Sequence, residues 1–274
     1  MGTPTIKLIL TDIDGTILPF GESVVPERTR AAFHAAMDAG IHIGPASGRD
    51  ISHVAPAFGG DDACVATALA TNGMQVFLDG ELICEKYIEH WGLEELQRVA
   101  AGQEGCGLIV FNEEGVPLLI EGKREILAKS FPVYAATAVD GVLPETPVVK
   151  ANIFVDGDWD ETARMLDIFE REIPGLDFNL PVQGFLNVIP KGWSKASGID
   201  VLCEALSIGI DEVVVFGDSG NDLEMLEHVP HSAAVASGTE QARAAATHII
   251  GACNDGAVAD AIFALAAGTW PFER

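Results

Sequence analysis

Residues 213–226 read VVVFGDSGNDLEML. Two chemistries fit the centre of this stretch. Gly217-Asp218-Ser219-Gly220 spells a loop that carries the nucleophilic serine in one class of protease. The same residues place two carboxylates, Asp218 and Asp222, just beyond a β-branched run, where a cation could bind. The serine reading fails on context. Asn221 stands where that loop has a second glycine, and none of the seven histidines has a comparable strand-end setting from which to act as base. A helical calcium loop fails as well, because counting from Asp218 puts Leu223 at the sixth position and Val229 at the twelfth. What remains is a buried strand followed by a helix, with Asp218, Asn221 and Asp222 at the junction. Such hard oxygen donors suit Mg2+, although Asn221 and Asp222 would also serve as helix caps.

Strand followed by helix is the grammar of an α/β protein, and it recurs outward from this segment. Ile6 to Leu10 composes a buried strand ending in TDIDGT (11–16), and Pro26 to Ala39 a helix opened by proline and stopped by Gly40. Val65 to Ala70 is a further strand leading into TNG, and MQVFLDGELI (74–83) a hairpin turning on Asp79-Gly80. From about Tyr87 to Gly184 the pattern changes: helices at Trp91–Ala101 and Asp160–Glu172 alternate with strand pairs, as in a separate α+β module. After it come FLNVIP (185–190), a helix from Ser194 to Leu206, the strand EVVVF, a helix from Asn221, SAAVA and a closing helix at Val258–Ala267. The expected architecture is a doubly wound, Rossmann-like parallel-sheet core from residues 1–85 and 187–274, with an α+β cap at 86–186 inserted.

Parallel sheets bind ligands beyond the carboxyl ends of their strands. Four polar clusters stand at such ends: Asp12/Asp14/Thr16, Ser47/Gly48/Arg49, Thr71/Asn72/Gly73 and Asp218/Asn221/Asp222. In DIDGT, carboxylates at i and i+2 leave the strand on one side and can face one reaction centre. One could be nucleophile or metal ligand and the other acid/base, while Thr16 and the N–H groups of the Gly15 turn could hold an oxyanion. A plain surface turn would use the same Asp-Gly pair.

Composition narrows the partners. A net charge of -25, with 16 basic residues in no cluster, excludes a nucleic-acid footprint and requires a local positive site for any anionic substrate. The five cysteines are scattered without a C-x-x-C pair, as in a reducing compartment. No run approaches the roughly 18 apolar residues of a membrane span. A cytoplasmic protein with no membrane or nucleic-acid partner is expected, and no protein partner is evident.

DIDGT, ASGR (46–49), PKGWSK (190–195) and GDSGND (217–222) occur in this order, and the chain resembles the haloacid dehalogenase superfamily of phosphohydrolases. It is most similar to the Cof-type members, which carry a large cap between the second and third motifs. TNGMQV and NDGAVADAI (254–262) extend the resemblance over nearly the whole chain. The resemblance implies a Mg2+-dependent phosphatase for small phosphorylated metabolites, sugar phosphates foremost, with the cap closing over the substrate and choosing the leaving group. It implies Asp12 as nucleophile forming an aspartyl-phosphate, Asp14 as general acid/base with its carbonyl reaching the metal, and Ser47 as a phosphoryl hydrogen-bond donor. Lys195 would supply positive charge and Asp218 would ligate the metal. Asp12, Asp14, Asp218 and Asp222 are thus the metal candidates, and Gly15, Thr16, Gly48, Arg49, Asn72 and Asn221 the phosphate or substrate candidates. Lys150, Asn152 and Gln183 are cap candidates for the leaving group; Lys191 reads as a solvated lysine.

Three departures from the family pattern stand out: Ser47 in place of threonine, Pro45 inside a strand where it removes a ladder donor, and Asn187 where many relatives have glutamate. Two rival functions use similar residues. A phosphomutase would keep Asp12 but return the phosphoryl group to sugar. A non-catalytic, receiver-like phosphoryl and Mg2+-binding module would pair acidic residues with a hydroxyl and a lysine, but in about half the length and without a cap.

Overall fold

β1 (Leu8–Thr11) is wholly buried, as expected of an apolar run in a parallel sheet covered on both faces. The computed structural model, which describes residues 5–272, continues with α1 (Glu27–Asp38), β2 (His42–Pro45), α2 (Ile51–Ala57), β3 (Ala68–Ala70), β4 (Gln75–Leu78) and β5 (Glu81–Glu85). Pro26 immediately precedes α1, where its fixed φ suits the helix entrance. Asp79 and Gly80 take φ of 51° and 84°, the pair of positive dihedrals that a two-residue hairpin turn requires.

The chain then forms a second unit, Lys86–Trp193. Its elements are α3 (His90–Ala101), β6 (Cys106–Phe111), β7 (Pro117–Glu121), α4 (Arg124–Ser130), α5 (Pro132–Thr137), β8 (Val139–Asp140), β9 (Ala151–Val155), α6 (Trp159–Glu172), β10 (Leu176–Val182) and β11 (Phe185–Pro190). They build a sheet of order β10-β11-β9-β6-β7-β8, antiparallel except for the β7–β8 pair. Here the boundary differs from the sequence expectation. FLNVIP is expected at the return to the core, yet β11 pairs antiparallel with both β10 and β9, with Asn187 opposite Asn179 and Asn152. Residues 187–193 therefore belong to the second unit. An apolar run has the same composition whichever sheet it joins; only its hydrogen-bond partners differ.

The first unit resumes at Ser194 with α7 (Lys195–Leu206), β12 (Val213–Gly217), α8 (Leu223–His228), β13 (His231–Val235), α9 (Glu240–Ala245), β14 (His248–Ile250) and α10 (Ala257–Ala266). Its main sheet has the order β14-β13-β12-β1-β2, every pair parallel. Phe33, Ala36, Val258 and Ile262 cover one face together with Ile9, Val214 and Phe216. Ile199, Leu202, Met225 and Leu226 cover the other, over Leu8, Leu10, Val213 and Val215. The chain winds from β1 outward to β2, and from β12 outward the opposite way to β14. The reversal opens a crevice between β1 and β12 at their carboxyl ends, where an open α/β sheet binds ligand.

Pro45 leaves β2 regular. The register against β1 runs unbroken from His42 to Pro45. Ala46 N–H donates to Thr11 O on the β1 side, whereas Ser47 N–H donates to Leu69 O on the other. By the alternation of a strand, the donor that proline lacks would point away from β1, so nothing is lost from that ladder. β3 is a second difference: it joins β4 and β5 in a three-stranded antiparallel sheet and meets the parallel sheet at the isolated Ala46–Leu69 bridge. That approach depends on Gly44, where a Cβ would lie 1.5 Å from Thr67 O. Among the described residues no helix is long and apolar enough to cross a membrane, and the five cysteines are free.

Candidate active site

Strand β1 ends by delivering Asp12, whose N–H donates to Phe216 O of β12 at 2.9 Å, so the ladder itself sets this carboxylate beside the end of the neighbouring strand. β12 ends at Gly217 and delivers Asp218 next to it. Lys195 arrives from a different direction. Ser194 caps α7 with a capping box, its hydroxyl accepting from Ala196 N, and the first helical residue then points its side chain inward. The Lys195 ammonium donates to Asp12 Oδ1 at 2.8 Å and to Asp222 Oδ1 at 2.6 Å, and the side chain is fully buried.

Asp12, Asp218 and Asp222 offer carboxylate oxygens that all lie within 4.8 Å of one another, and all three residues are buried. One ammonium faces them. Burial pushes the Asp12 carboxyl well above its ordinary range; Lys195 opposes the shift, while Asp222, Asp218 and Asp14 add to it. Burial, then the neighbouring Asp222, pushes Asp218 up to about 7, against the Thr16 hydrogen bond and Lys195. Burial alone would lower the Lys195 ammonium, but Asp12 and Asp222 more than reverse it. The cluster is therefore short of positive charge. Its donors are hard oxygens, and a divalent cation of the Mg2+ kind fits both facts.

The carboxylates are not equivalent. Asp222 Oδ2 accepts from the N–H groups of Asp218 and Ser219 at 2.9 and 3.1 Å, while its Oδ1 holds Lys195. Both of its oxygens already serve the loop and the lysine, an arrangement that orients the site rather than presenting a free ligand. Asp218 Oδ1 accepts from Thr16 Oγ1 at 3.0 Å. Gly15 makes this contact possible: its φ is +85°, and a Cβ there would fall 2.6 Å from Asp218 Oδ2. The N–H groups of Gly15 and Thr16, expected as oxyanion donors, are used within their own turn, donating to Leu18 O and Ile13 O. A turn this tight satisfies its donors internally.

Asp14 is half-exposed and is gripped by Arg49, with Nε 2.8 Å from Oδ2 and Nη2 2.5 Å from Oδ1. This two-pronged pairing joins the first two motif clusters. Ser47 is buried; its hydroxyl accepts from Arg49 N at 3.2 Å and its carbonyl accepts from Asn72 N at 2.9 Å. Asn221 Nδ2 donates to Asn72 Oδ1 at 3.3 Å, and Ser219 Oγ donates to Asn221 Oδ1 at 2.9 Å. Ser219 thus supports a neighbouring amide. All four strand-end clusters meet in one place.

Thr71, in the third of the strand-end clusters, is set apart by its backbone. It and Asn72 take φ of 49° and 57°, left-handed backbone that a β-branched residue avoids, and the buried Thr71 hydroxyl has no hydrogen-bond partner. Backbone strain of this kind gathers at functional sites. No pattern of residue types announces it.

The remaining candidates lie in the second unit. Lys150 is buried, with Nζ 3.2 Å from Tyr134 Oη and 4.9 Å from the centre of the Phe111 ring. Asn152 Nδ2 donates to Asn187 Oδ1 at 2.9 Å and Asn187 Nδ2 to Asn179 Oδ1 at 2.7 Å, a row of amides across three strands. Asn187, the departure from the family glutamate, is thereby engaged within its own sheet. Gln183 donates to Gly157 O, and Lys191 pairs with Asp177 on the surface.

The chain is 26% identical to the 5-amino-6-(5-phospho-D-ribitylamino)uracil phosphatase YbjI of Escherichia coli (strain K12), over 98% of this chain and 100% of that protein. It is 27% identical to the chloroplastic endoribonuclease YBEY of Arabidopsis thaliana over 95% of its own length, but spans only 46% of that larger protein. The solved structure of BT4131, a sugar phosphatase of haloacid dehalogenase subclass IIB, is alike in fold, with a TM-score of 0.78 at 24% identity over 93% of this chain and 97% of that one. The family profile of haloacid dehalogenase-like hydrolases matches residues 9–262, nearly the whole chain. The chain belongs to the haloacid dehalogenase-like hydrolase family, and it is an enzyme of that family's phosphatase kind.

Proposed function

We propose that this enzyme is a Mg2+-dependent phosphatase that hydrolyses small phosphorylated metabolites, sugar phosphates foremost, through an aspartyl-phosphate on Asp12. The observation that carries the reading is the buried Asp12/Asp218/Asp222 cluster facing the single ammonium of Lys195, at the crevice between β1 and β12. A phosphate dianion entering beside three carboxylates needs more positive charge than Lys195 supplies. Asp12, Asp218 and the Asp14 carbonyl would hold the cation, whose chemistry is to offset that charge and orient the phosphoryl oxygens. Asp222 serves by fixing Lys195 and the 218–219 backbone.

Asp12 attacks phosphorus and the leaving oxygen departs. Asp14, held by Arg49 beside the strand end, protonates that oxygen and then removes a proton from the water that hydrolyses the aspartyl-phosphate. The Ser47 hydroxyl turns toward a phosphoryl oxygen, with Asn72, Asn221 and the Gly48–Arg49 backbone around it. Residues 86–193 act as the specificity domain, and a small phosphorylated metabolite is the expected partner.

Phosphate release from a panel of phosphorylated metabolites, with and without a chelator, tests the reading. Chelation should abolish release and Mg2+ restore it, while Asp218→Ala should bind the ion far more weakly. Full turnover in excess chelator would overturn the metal role, and return of the phosphoryl group to a second sugar instead of water would mark a phosphomutase.

A further inference from the structure

A second cluster of ligating side chains lies in the first unit, on elements that contribute nothing to the carboxylate site. His34 projects from α1. Asp61 occupies the position before the short 3-10 turn Asp62–Val65, and Cys64 lies within that turn. Cys64 N–H donates to Asp61 O at 3.1 Å, closing the turn and directing both side chains to His34. His34 Nε2 stands 2.7 Å from Asp61 Oδ2 and 4.0 Å from Cys64 Sγ, and the three ligand atoms lie within 4.8 Å of one another. Cys64 is sealed in the core beside Phe33 and Ala36, while the His34 side chain is 47% exposed. The group thus has a buried floor and a face open to water.

We propose that His34, Asp61 and Cys64 form a binding site for a borderline-soft divalent cation of the Zn2+ type, separate from the hard-oxygen site. Imidazole, carboxylate and thiolate are the donors such an ion prefers, and Mg2+ has little affinity for sulfur. Tetrahedral bonds of about 2.0–2.3 Å place ligand atoms roughly 3.3–3.8 Å apart. His34 and Asp61 must therefore separate by about 0.6 Å and Cys64 move slightly inward. Water on the exposed side supplies the fourth ligand. Charge balances: the ion displaces the Cys64 thiol proton into solvent, so one thiolate and one carboxylate neutralise it. His34 binds through Nε2 as a neutral imidazole with its proton on Nδ1.

A nucleophilic Cys-His pair is the other chemistry these residues suggest, and the surroundings oppose it. Burial, with Asp61 beside it, pushes the Cys64 thiol up to about 12, and the sulfur is not exposed. His34 hydrogen-bonds Asp61 through the same nitrogen that faces the sulfur, so it is not set up to receive the thiol proton.

Cobalt(II) is the probe, titrated into the whole protein with Mg2+ in excess. One equivalent should give the near-ultraviolet thiolate-to-cobalt band with intense visible bands of tetrahedral geometry, and Zn2+ should displace both. Zn2+ titration in two buffers of different ionisation enthalpy should report about one proton released per ion. His34→Ala, at an exposed position that tolerates truncation, should weaken Zn2+ binding by at least about tenfold, since even outer-shell partners of a metal cost about 10–100-fold. It should leave phosphatase turnover in Mg2+ unchanged. Cys64→Ser should remove the near-ultraviolet band, whereas Cys253→Ser and Asp218→Asn should retain it. Absence of a thiolate band, its loss in Cys253→Ser, or unaltered Zn2+ affinity in His34→Ala would overturn the site.

Discussion

Lys195 Nζ and Asp222 Oδ1 lie 2.6 Å apart, and neither side chain is exposed to solvent. The same ammonium reaches Asp12 at 2.8 Å, so one cation bridges two buried carboxylates, one just beyond β1 and the other at the entrance of α8. Removing it strands them. Lys195→Met should lower stability by about 3–5 kcal/mol at neutral pH, the usual cost of breaking a buried pair from one side. The loss should shrink at pH 5, where the abandoned carboxylates can take up protons. Denaturant unfolding at the two pH values measures both effects; equal losses would show that Lys195 is not the counter-ion.

Asp12 and Asp14 differ in surroundings, and their variants should differ in kind. A sugar alkoxide needs a proton to depart, whereas a nitrophenolate barely does; hydrolysis of the aspartyl-phosphate needs a base in both cases. Asp14→Asn should lose most on sugar phosphates. On p-nitrophenyl phosphate it should release about one nitrophenolate per site in a burst and then stall. Asp12→Asn should give no burst with either substrate. Ser219→Ala should keep substantial turnover, because Ser219 Oγ only steadies Asn221. Mass mapping locates the trapped phosphate: Asp12 supports the mechanism, and an adduct on Ser219 would refute it.

Without a divalent cation, stability should fall as pH rises. The folded-state Asp218 carboxyl is pushed up to about 7, and Asp12 moves the same way. Between the ordinary carboxylate range near 4 and that raised value, the folded protein holds protons that the unfolded chain has lost, so stability declines with pH across this window and levels above it. A bound cation replaces those protons. Melting temperatures in chelator should therefore drop from pH 5 to pH 8, and Mg2+ should flatten the slope by stabilising most at pH 8. A chelator series rising with pH would reverse the assignment.

Gly15→Ala tests the loop that carries DIDGT. The new methyl meets Asp218 Oδ2 at 2.6 Å on backbone with φ of +85°. The strain is about 1–2 kcal/mol. The larger consequence is displacement of Asp218, so Mg2+ affinity should fall more than global stability does. Isothermal titration beside a thermal melt separates the two, and an unchanged affinity would place Asp218 outside the metal shell.

The order DIDGT, ASGR, PKGWSK, GDSGND was legible because each cluster follows a strand, and side-chain chemistry at strand ends is written in local sequence. Periodicity likewise settled α1, the Asp79-Gly80 hairpin and the doubly wound core, since burial on both faces leaves a continuous apolar run. What depended on partners was hidden. FLNVIP could belong to either sheet until β11 paired with β9 and β10. The Arg49 fork on Asp14 and the Lys195 bridge between Asp12 and Asp222 join segments far apart in the chain, and the left-handed Thr71 is written in no residue pattern. His34, Asp61 and Cys64 share no spacing that joins them in the sequence, because a helix and a turn 27 residues away meet only when α1 packs. Sequence by itself determined which groups stand at the crevice. Tertiary structure alone decided which of their oxygens and nitrogens are already satisfied, since hydrogen bonds over long sequence separations follow from packing and not from residue type.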